Sequence, residues 1–320
     1  MKTMAPLRCR DCLSPARLRP GVRLPPPIPP ISFHPQEPAA PGARFTIVIP
    51  TWNNLPYARL CLDSIRRNSA FRHQVVLHVN DGSDGTLAWA RREGLDHTWS
   101  RENAGICFGV NAAASLGRTD HVVYMNDDMY VCPGWDAALW RAIEEVGHPR
   151  FFLSATAILP RGGYPGACAP LDFGDHPDRF REAELLAAAA GLAREDWSGA
   201  SWPPNVVHRS IWDLVGGLSV EFSPGLYSDP DFSMKLWAAG VRHFRGVAAS
   251  KVYHFHHKST SRVAPNDGRR LFSRKWGVPT SFFYRRVLRM GQPWRGPLGE
   301  LEGQPGYGWA RLRALAHRLA

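Results

Sequence analysis

No run in the 320 residues approaches the eighteen or so uninterrupted apolar residues of a membrane-crossing helix, and the N-terminus lacks the apolar stretch of a secretory signal. A soluble, cytoplasmic chain is the expectation. Two nucleotide-binding signatures are also missing. There is no GxxxxGK[ST] segment and no GxGxxG after the first apolar run, which disfavours a P-loop ATPase or a nicotinamide enzyme. Cysteine is sparse: Cys9, Cys12, Cys61, Cys107, Cys132 and Cys168 are scattered through a chain too long to need disulfide staples, and read as buried or idle thiols. Cys9 and Cys12, in "CRDC", have the spacing of half a zinc site, but no second Cys or His pair follows at a suitable distance. No internal repeat is present.

What is present is a net charge of +11 that changes sign along the chain. Residues 1–44 carry +5, residues 45–260 carry −3 and residues 261–320 carry +9. Basic ends around a mildly acidic middle argue against a nucleic-acid groove through the core. With 44% hydrophobic content the chain is large enough to bury a site.

Three regions follow from texture. Residues 1–43 hold eleven of the 28 prolines and read as a flexible or polyproline-like arm, unable to sustain a helix or to donate to a sheet ladder. Residues 44–260 alternate short apolar runs with helical patterns, the mark of βαβ units and a mostly parallel sheet in an α/β fold. Residues 261–320 form a basic, aromatic-rich extension. Within the middle region "FTIVIP" predicts a strand stopped by Pro50, and "LPYARLCLDSIRRNS" a helix started at Asn54. "QVVLHVND" and "HVVYMND" predict further strands, with a short one near "HTWS"; helices are expected through "TLAWARREG" and "ICFGVNAAASLG".

In open parallel sheets, ligands bind outside the carboxyl ends of the strands. Here those ends are polar: Thr51, Trp52 and Asn53; Asp81, Gly82 and Ser83; Asn126, Asp127 and Asp128. Adjacent carboxylates at a strand end repel unless a cation lies between them or one takes a proton. Mg²⁺ or Mn²⁺ would remove the conflict, with water and phosphate completing an oxygen shell. Alternatively, Asp127 or Asp128 caps the turn into "PGWDAALWRAIEEVG". "NDGSDG" likewise reads either as a ligand-facing loop or as a plain Asp-Gly turn.

Six segments, "IVIPTWNN", "VNDGSDGT", "RENAGICFGVNAAAS", "VVYMNDDMYVCPGW", "VGGLSVEFSPGLYSDPDFSMKLWAAG" and "KVYHFHHKST", occur in the order and spacing seen in inverting family-two glycosyltransferases. Over residues 45–260 the chain resembles an enzyme of GT-A fold. The resemblance implies that Pro50, Thr51, Trp52, Asn53, Asp81 and Ser83 hold the nucleotide, with Asn103, Gly105 and Asn111 near the nucleotide and donor sugar. The family's DxD motif falls on Asn126, Asp127 and Asp128, which makes Asp128 the main ligand of a divalent metal, Mn²⁺ or Mg²⁺. The family's base aligns with Asp229 in "YSDPDFSMKL", where Ser228 replaces the usual Glu; Asp231 is the alternative, as base or as helix cap. His254 is implied as a metal or diphosphate contact. Extended geometry would put His254 and His256 on one face and His257 on the other.

The implied reaction is attack by an acceptor hydroxyl on the anomeric carbon of a nucleotide-activated sugar, with Asp229 as base and the metal neutralising the leaving diphosphate. The implied partners are a nucleotide-sugar donor and a glycan or lipid-linked acceptor, with cell-envelope polysaccharide or glycoconjugate synthesis as the setting and no nucleic acid. Residues 153–204 would shape the acceptor side. For the extension, a peripheral contact with the inner face of a membrane stands against a solvated helical flap. The competing functions are a nucleotide-sugar-binding protein without turnover, suggested by Ser228, and a nucleotidyltransferase, for which "IPTWNNLPYAR" offers no glycine-rich basic loop.

Overall fold

A computed structural model describes residues 28–36, 42–256, 262–263 and 266–319. Cys9, Cys12 and His257 lie outside them. The strands are β1 (Ile31–His34), β2 (Thr46–Trp52), β3 (Gln74–Asn80), β4 (Asp96–Ser100), β5 (His121–Tyr124), β6 (Met129–Val131), β7 (Phe151–Leu159), β8 (Cys168–Pro170), β9 (Trp197–Ser198), β10 (Asn205–His208) and β11 (His243–His254). The helices are α1 (Leu55–Asn68), α2 (Thr86–Arg92), α3 (Ile106–Ala114), α4 (Trp135–Val146), α5 (Glu182–Gly191), α6 (Arg209–Val215), α7 (Ser228–Ala238), α8 (Gly268–Trp276), α9 (Thr280–Phe282) and α10 (Tyr307–Leu319). A π-helical turn over Phe283–Val287 continues α9.

One sheet runs β1-β4-β3-β2-β5-β10-β7-β11-β6, with β8 beside β7 and β9 beside β11. Strands β4, β3, β2 and β5 are parallel, as are β7 and β11, while β10 lies antiparallel between β5 and β7. The central strands are apolar on both faces because helices cover both. Ile47 and Ile49 face α1, α2 and α4, whereas Val48 faces α3, α6 and α7. From β2 the chain steps outward through β3 to β4, then returns to the other side of β2 as β5. That reversal opens a crevice between the carboxyl ends of β2 and β5, where doubly wound sheets bind ligands.

Three expectations change. The proline-rich arm does join the sheet: Ile31–His34, four residues free of proline, pair antiparallel with the edge strand β4. Pro50 does not stop β2, which runs on to Trp52. The Val48 carbonyl accepts from the Met125 amide, so strand alternation turns the Pro50 nitrogen to that same side, where β5 has already ended. Finally, β6 intervenes between Asp128 and α4, whose N-cap is Gly134, so neither acid caps that helix.

Strand β11 carries a bulge. Its pairing with β7 passes from Val247↔Ala155 straight to Lys251↔Thr156, leaving residues 248–250 out of register. The four described cysteines are buried free thiols, as expected.

Candidate active site

A cavity of about 570 Å³ lies at the crevice, a volume suited to a small-molecule ligand. Pro50, Thr51 and Trp52 reach it from the end of β2, Asn80 from β3, and Tyr124, Asn126, Asp127 and Asp128 from the end of β5 and the turn after it. Asn103 and Ile106 enter at the start of α3. The far wall is formed by Tyr227, Ser228 and Asp229 at the start of α7, by His254 and His256 at the end of β11, and by Tyr164 and Trp202.

The β6–β11 pairing builds the acidic corner. Its register sets His254 opposite Met129, one residue beyond Asp128, and His254 Nε2 lies 3.1 Å from an Asp128 carboxylate oxygen. Burial pushes the His254 pKa down, but the Asp128 carboxylate outweighs it and the net shift is upward. Asp127, also buried, has its pKa raised by desolvation and by the charge of Asp128. Thr51, Asn54 and Arg262 hold that rise back. The Thr51 hydroxyl and Asn54 Nδ2, both buried, are directed at the Asp127 carboxylate without closing a hydrogen bond of normal geometry. Arg262 donates to the Trp52 carbonyl at 2.7 Å and lies 4.3 Å over the Trp52 ring.

Asp229 stands in the first turn of α7, partly open to the cavity yet surrounded by protein. Desolvation pushes its pKa up to about 7. Ser228 beside it donates to the Gly225 carbonyl at 2.6 Å. Asp231 is placed differently. It is fully buried away from the cavity, accepts from Trp276 Nε1 at 2.7 Å, and pairs with Lys275 at 2.9 Å. It lies inside the helix rather than at its N-cap, which is Tyr227.

The remaining candidates divide into two groups. Asn53, Asp81 and Ser83 form a hydrogen-bonded cluster at the outer rim rather than the wall: Asn53 Nδ2 donates to Asp81 at 2.7 Å and to Ser83 at 3.1 Å. Asn111 and Gly105 serve the scaffold. The Asn111 amide exchanges two 2.8 Å hydrogen bonds with the Leu218 backbone, leaving its side chain committed there. Gly105, at φ +82°, lets α3 approach Ser223, whose hydroxyl would stand 2.2 Å from any Cβ. The Asn103 side-chain oxygen Oδ1 accepts from the Gly105 backbone amide at 2.9 Å.

His254 and His256 do share a side, their rings 4.8 Å apart, although His256 has left the strand at φ +58°. Asn80, Tyr124, Tyr164, Trp202, Tyr227 and Arg262 stand at the site without being expected there from the sequence. Asn80 could have been, since it closes "HVN" immediately before Asp81. The aromatics are set in the cavity by contacts distant in sequence and left no local signal.

Among the described residues no three His, Cys, Asp or Glu side chains cluster as a self-sufficient metal site. Asp128 and His254 are two donors, and a divalent ion bound there would draw its remaining ligands from substrate oxygens and water, as Mg²⁺ and Mn²⁺ commonly do. A carboxylate oxygen and an imidazole nitrogen 3.1 Å apart are donors that such an ion accepts.

Residues 46–150 match the family model described as glycosyl transferase family 2. A curated relative, the uncharacterized protein y4gI of Sinorhizobium fredii, is 26% identical over 251 residues, 73% of this chain. The chain spans about a quarter of that relative's length, 26%. Among solved structures, S. aureus TarS 1-349 in complex with UDP-GlcNAc matches with a TM-score of 0.50 and 15% identity, over 72% of this chain and 65% of that one. GalNAc-T7 with UDP, GalNAc and Mn²⁺ matches with a TM-score of 0.53 and 13% identity, over 77% of this chain and 50% of that one. At such identities the likeness concerns the fold, which is GT-A.

Proposed function

We propose that the chain, of GT-A fold and with its segment 46–150 matched by glycosyl transferase family 2, moves a sugar from a nucleotide-sugar donor to an acceptor hydroxyl with inversion. One observation carries the reading. The Asp128–His254 pair and Asp229 face a single cavity at the sheet's reversal point.

Asp229 takes the proton of the attacking hydroxyl. A carboxylate whose pKa is raised to about 7 is a stronger base than an exposed one and is still half ionised near neutrality. Trp52 offers a flat ring to a nucleobase, and Asn103 and Asn126 offer amides to the donor. Asp128 and His254 would hold a divalent ion, which when bound supplies positive charge against the leaving diphosphate. The solved structure of like fold with UDP, GalNAc and Mn²⁺ supports the involvement of a divalent ion. Tyr164 and Trp202, from the 153–204 region, line the opposite part of the cavity and are assigned to a glycan or lipid-linked acceptor. Synthesis of an envelope polysaccharide or glycoconjugate is the process such an acceptor implies.

The test is nucleotide release from a panel of UDP-, GDP-, dTDP- and CMP-sugars with Mn²⁺ or Mg²⁺. Slow release without acceptor from one donor class is expected. No release from any of them would overturn transfer in favour of a protein that binds without turnover.

A further inference from the structure

Helix α10 is amphipathic in the inverse sense to most surface helices. At 100° per residue, its sequence YGWARLRALAHRL turns Ala310 and Ala314, 7% and 1% exposed, toward α8, with Tyr307 beside them. The opposite arc, about 120° wide by the same geometry, carries Trp309, Leu312, Leu315 and Ala316. Trp309 is 80% exposed, Leu312 58% and Leu315 44%. Arg311 and Arg313 stand at the two borders of that arc. Small residues thus point inward, and large apolar ones face solvent between arginines.

Beside this face an open groove is lined by Phe282, Arg285, Arg286, Trp309, Leu312 and Arg313. Arg285, Arg286 and Arg313 are exposed, and the local acids point elsewhere: Glu300 pairs with Arg242, Asp267 with Arg270, and Glu302 lies near the Tyr307 hydroxyl. Among the described residues no helix is long and apolar enough to cross a membrane.

We propose that α10, with Arg285 and Arg286, is an interfacial docking surface for an anionic lipid bilayer. A contiguous apolar arc bordered by cations matches the boundary between acyl chains and headgroups, with Trp309 at the interface and the arginines against phosphate oxygens. A second copy fits less well. Two such faces would bring arginine borders against each other with no carboxylate fringe between them. Nucleic acid would use the arginines but leave Trp309, Leu312 and Leu315 uncovered. The inference rests on the C-terminal helices alone and does not depend on the catalytic reading.

Sedimentation of the full chain with vesicles tests it, using phosphatidylcholine alone and mixed with phosphatidylglycerol. Binding to the mixed vesicles at low salt is expected, weakened by high salt and by removal of the anionic lipid. Combined Arg285→Gln, Arg286→Gln and Arg313→Gln should lower partitioning by about a hundredfold. Trp309→Ser with Leu312→Ser should lower it by about tenfold or more, with thermal melting unchanged because both side chains are exposed. No sedimentation with the mixed vesicles, or undiminished binding by the Trp309/Leu312 variant, would overturn the proposal. So would a dimer in light scattering that this variant dissociates while vesicles fail to compete with it.

Discussion

Asp229 and Asp231 lie two positions apart on one helix turn, and their surroundings set them to different work. Asp231 is locked to Lys275 and Trp276, whereas Asp229 meets the cavity with a pKa near 7 set by desolvation. Asp229→Asn is expected to keep donor affinity and to lower turnover by about 10²–10⁴-fold, read by titration calorimetry and steady-state kinetics. Because the base must be ionised, wild-type turnover should rise with pH through about 7, and the variant should lose that limb. The linkage sign is opposite for stability. A carboxyl whose folded-state pKa is raised favours the fold at low pH, and that contribution is lost as pH rises through about 7. Asp229→Asn should therefore melt higher than wild type at pH 8, with an advantage that shrinks below about 7 and disappears near the ordinary carboxyl value of 3.8. For Asp128, EDTA should weaken donor binding to the wild type by about 10–100-fold, while Asp128→Ala binds weakly with or without chelator. Equal donor affinity with and without EDTA in the wild type would remove the metal from that role.

At the scale of elements, the C-terminal region reaches back to support the helix that carries Asp229. Lys275 of α8 lies 2.9 Å from Asp231 of α7, which is fully buried. Lys275→Met leaves that carboxylate without its counter-charge, and a loss of about 3–5 kcal/mol in urea denaturation is expected. Elements with strong local signals were legible in the sequence. The apolar runs of β2, β3 and β5 and the helices α1, α2 and α3 fall where the sequence places them. Strand β6 was not legible, because three residues form a strand only when β11 lies alongside. Asn111 was misplaced for a related reason: its partner Leu218 is 107 residues away, and a motif says nothing about which side of a helix a distant loop will claim. The cavity's carboxylates were legible because polar residues ending apolar strands conflict with a core unless something binds there. Its aromatic wall was not, since Trp202 and Tyr164 look locally like ordinary core.

At the scale of the molecule, the family-matched segment is part of one continuous sheet that later strands complete. β10, from residues 205–208, pairs with β5 on one edge and with β7 on the other, and the cavity takes walls from α7 and β11. A fragment of residues 44–150 would expose the β5 edge and part of the apolar face that α6 and α7 cover. It should show no cooperative melting by circular dichroism, whereas the full chain melts in one main transition. An independently stable fragment would show that the later strands are an addition to a finished domain.

Bulge residues 248–250 set which way the last stretch of β11 looks. Side chains on a strand take opposite sides in turn, and plain alternation from Val247 through residues 248–250 would put Tyr253 on the side that His254 now takes. The bulge breaks that alternation: pairing resumes at Lys251↔Thr156, one step along β7, which sends Tyr253 into the core and aims His254 at Asp128. The aim of a histidine is thus decided by a break in the strand several residues upstream.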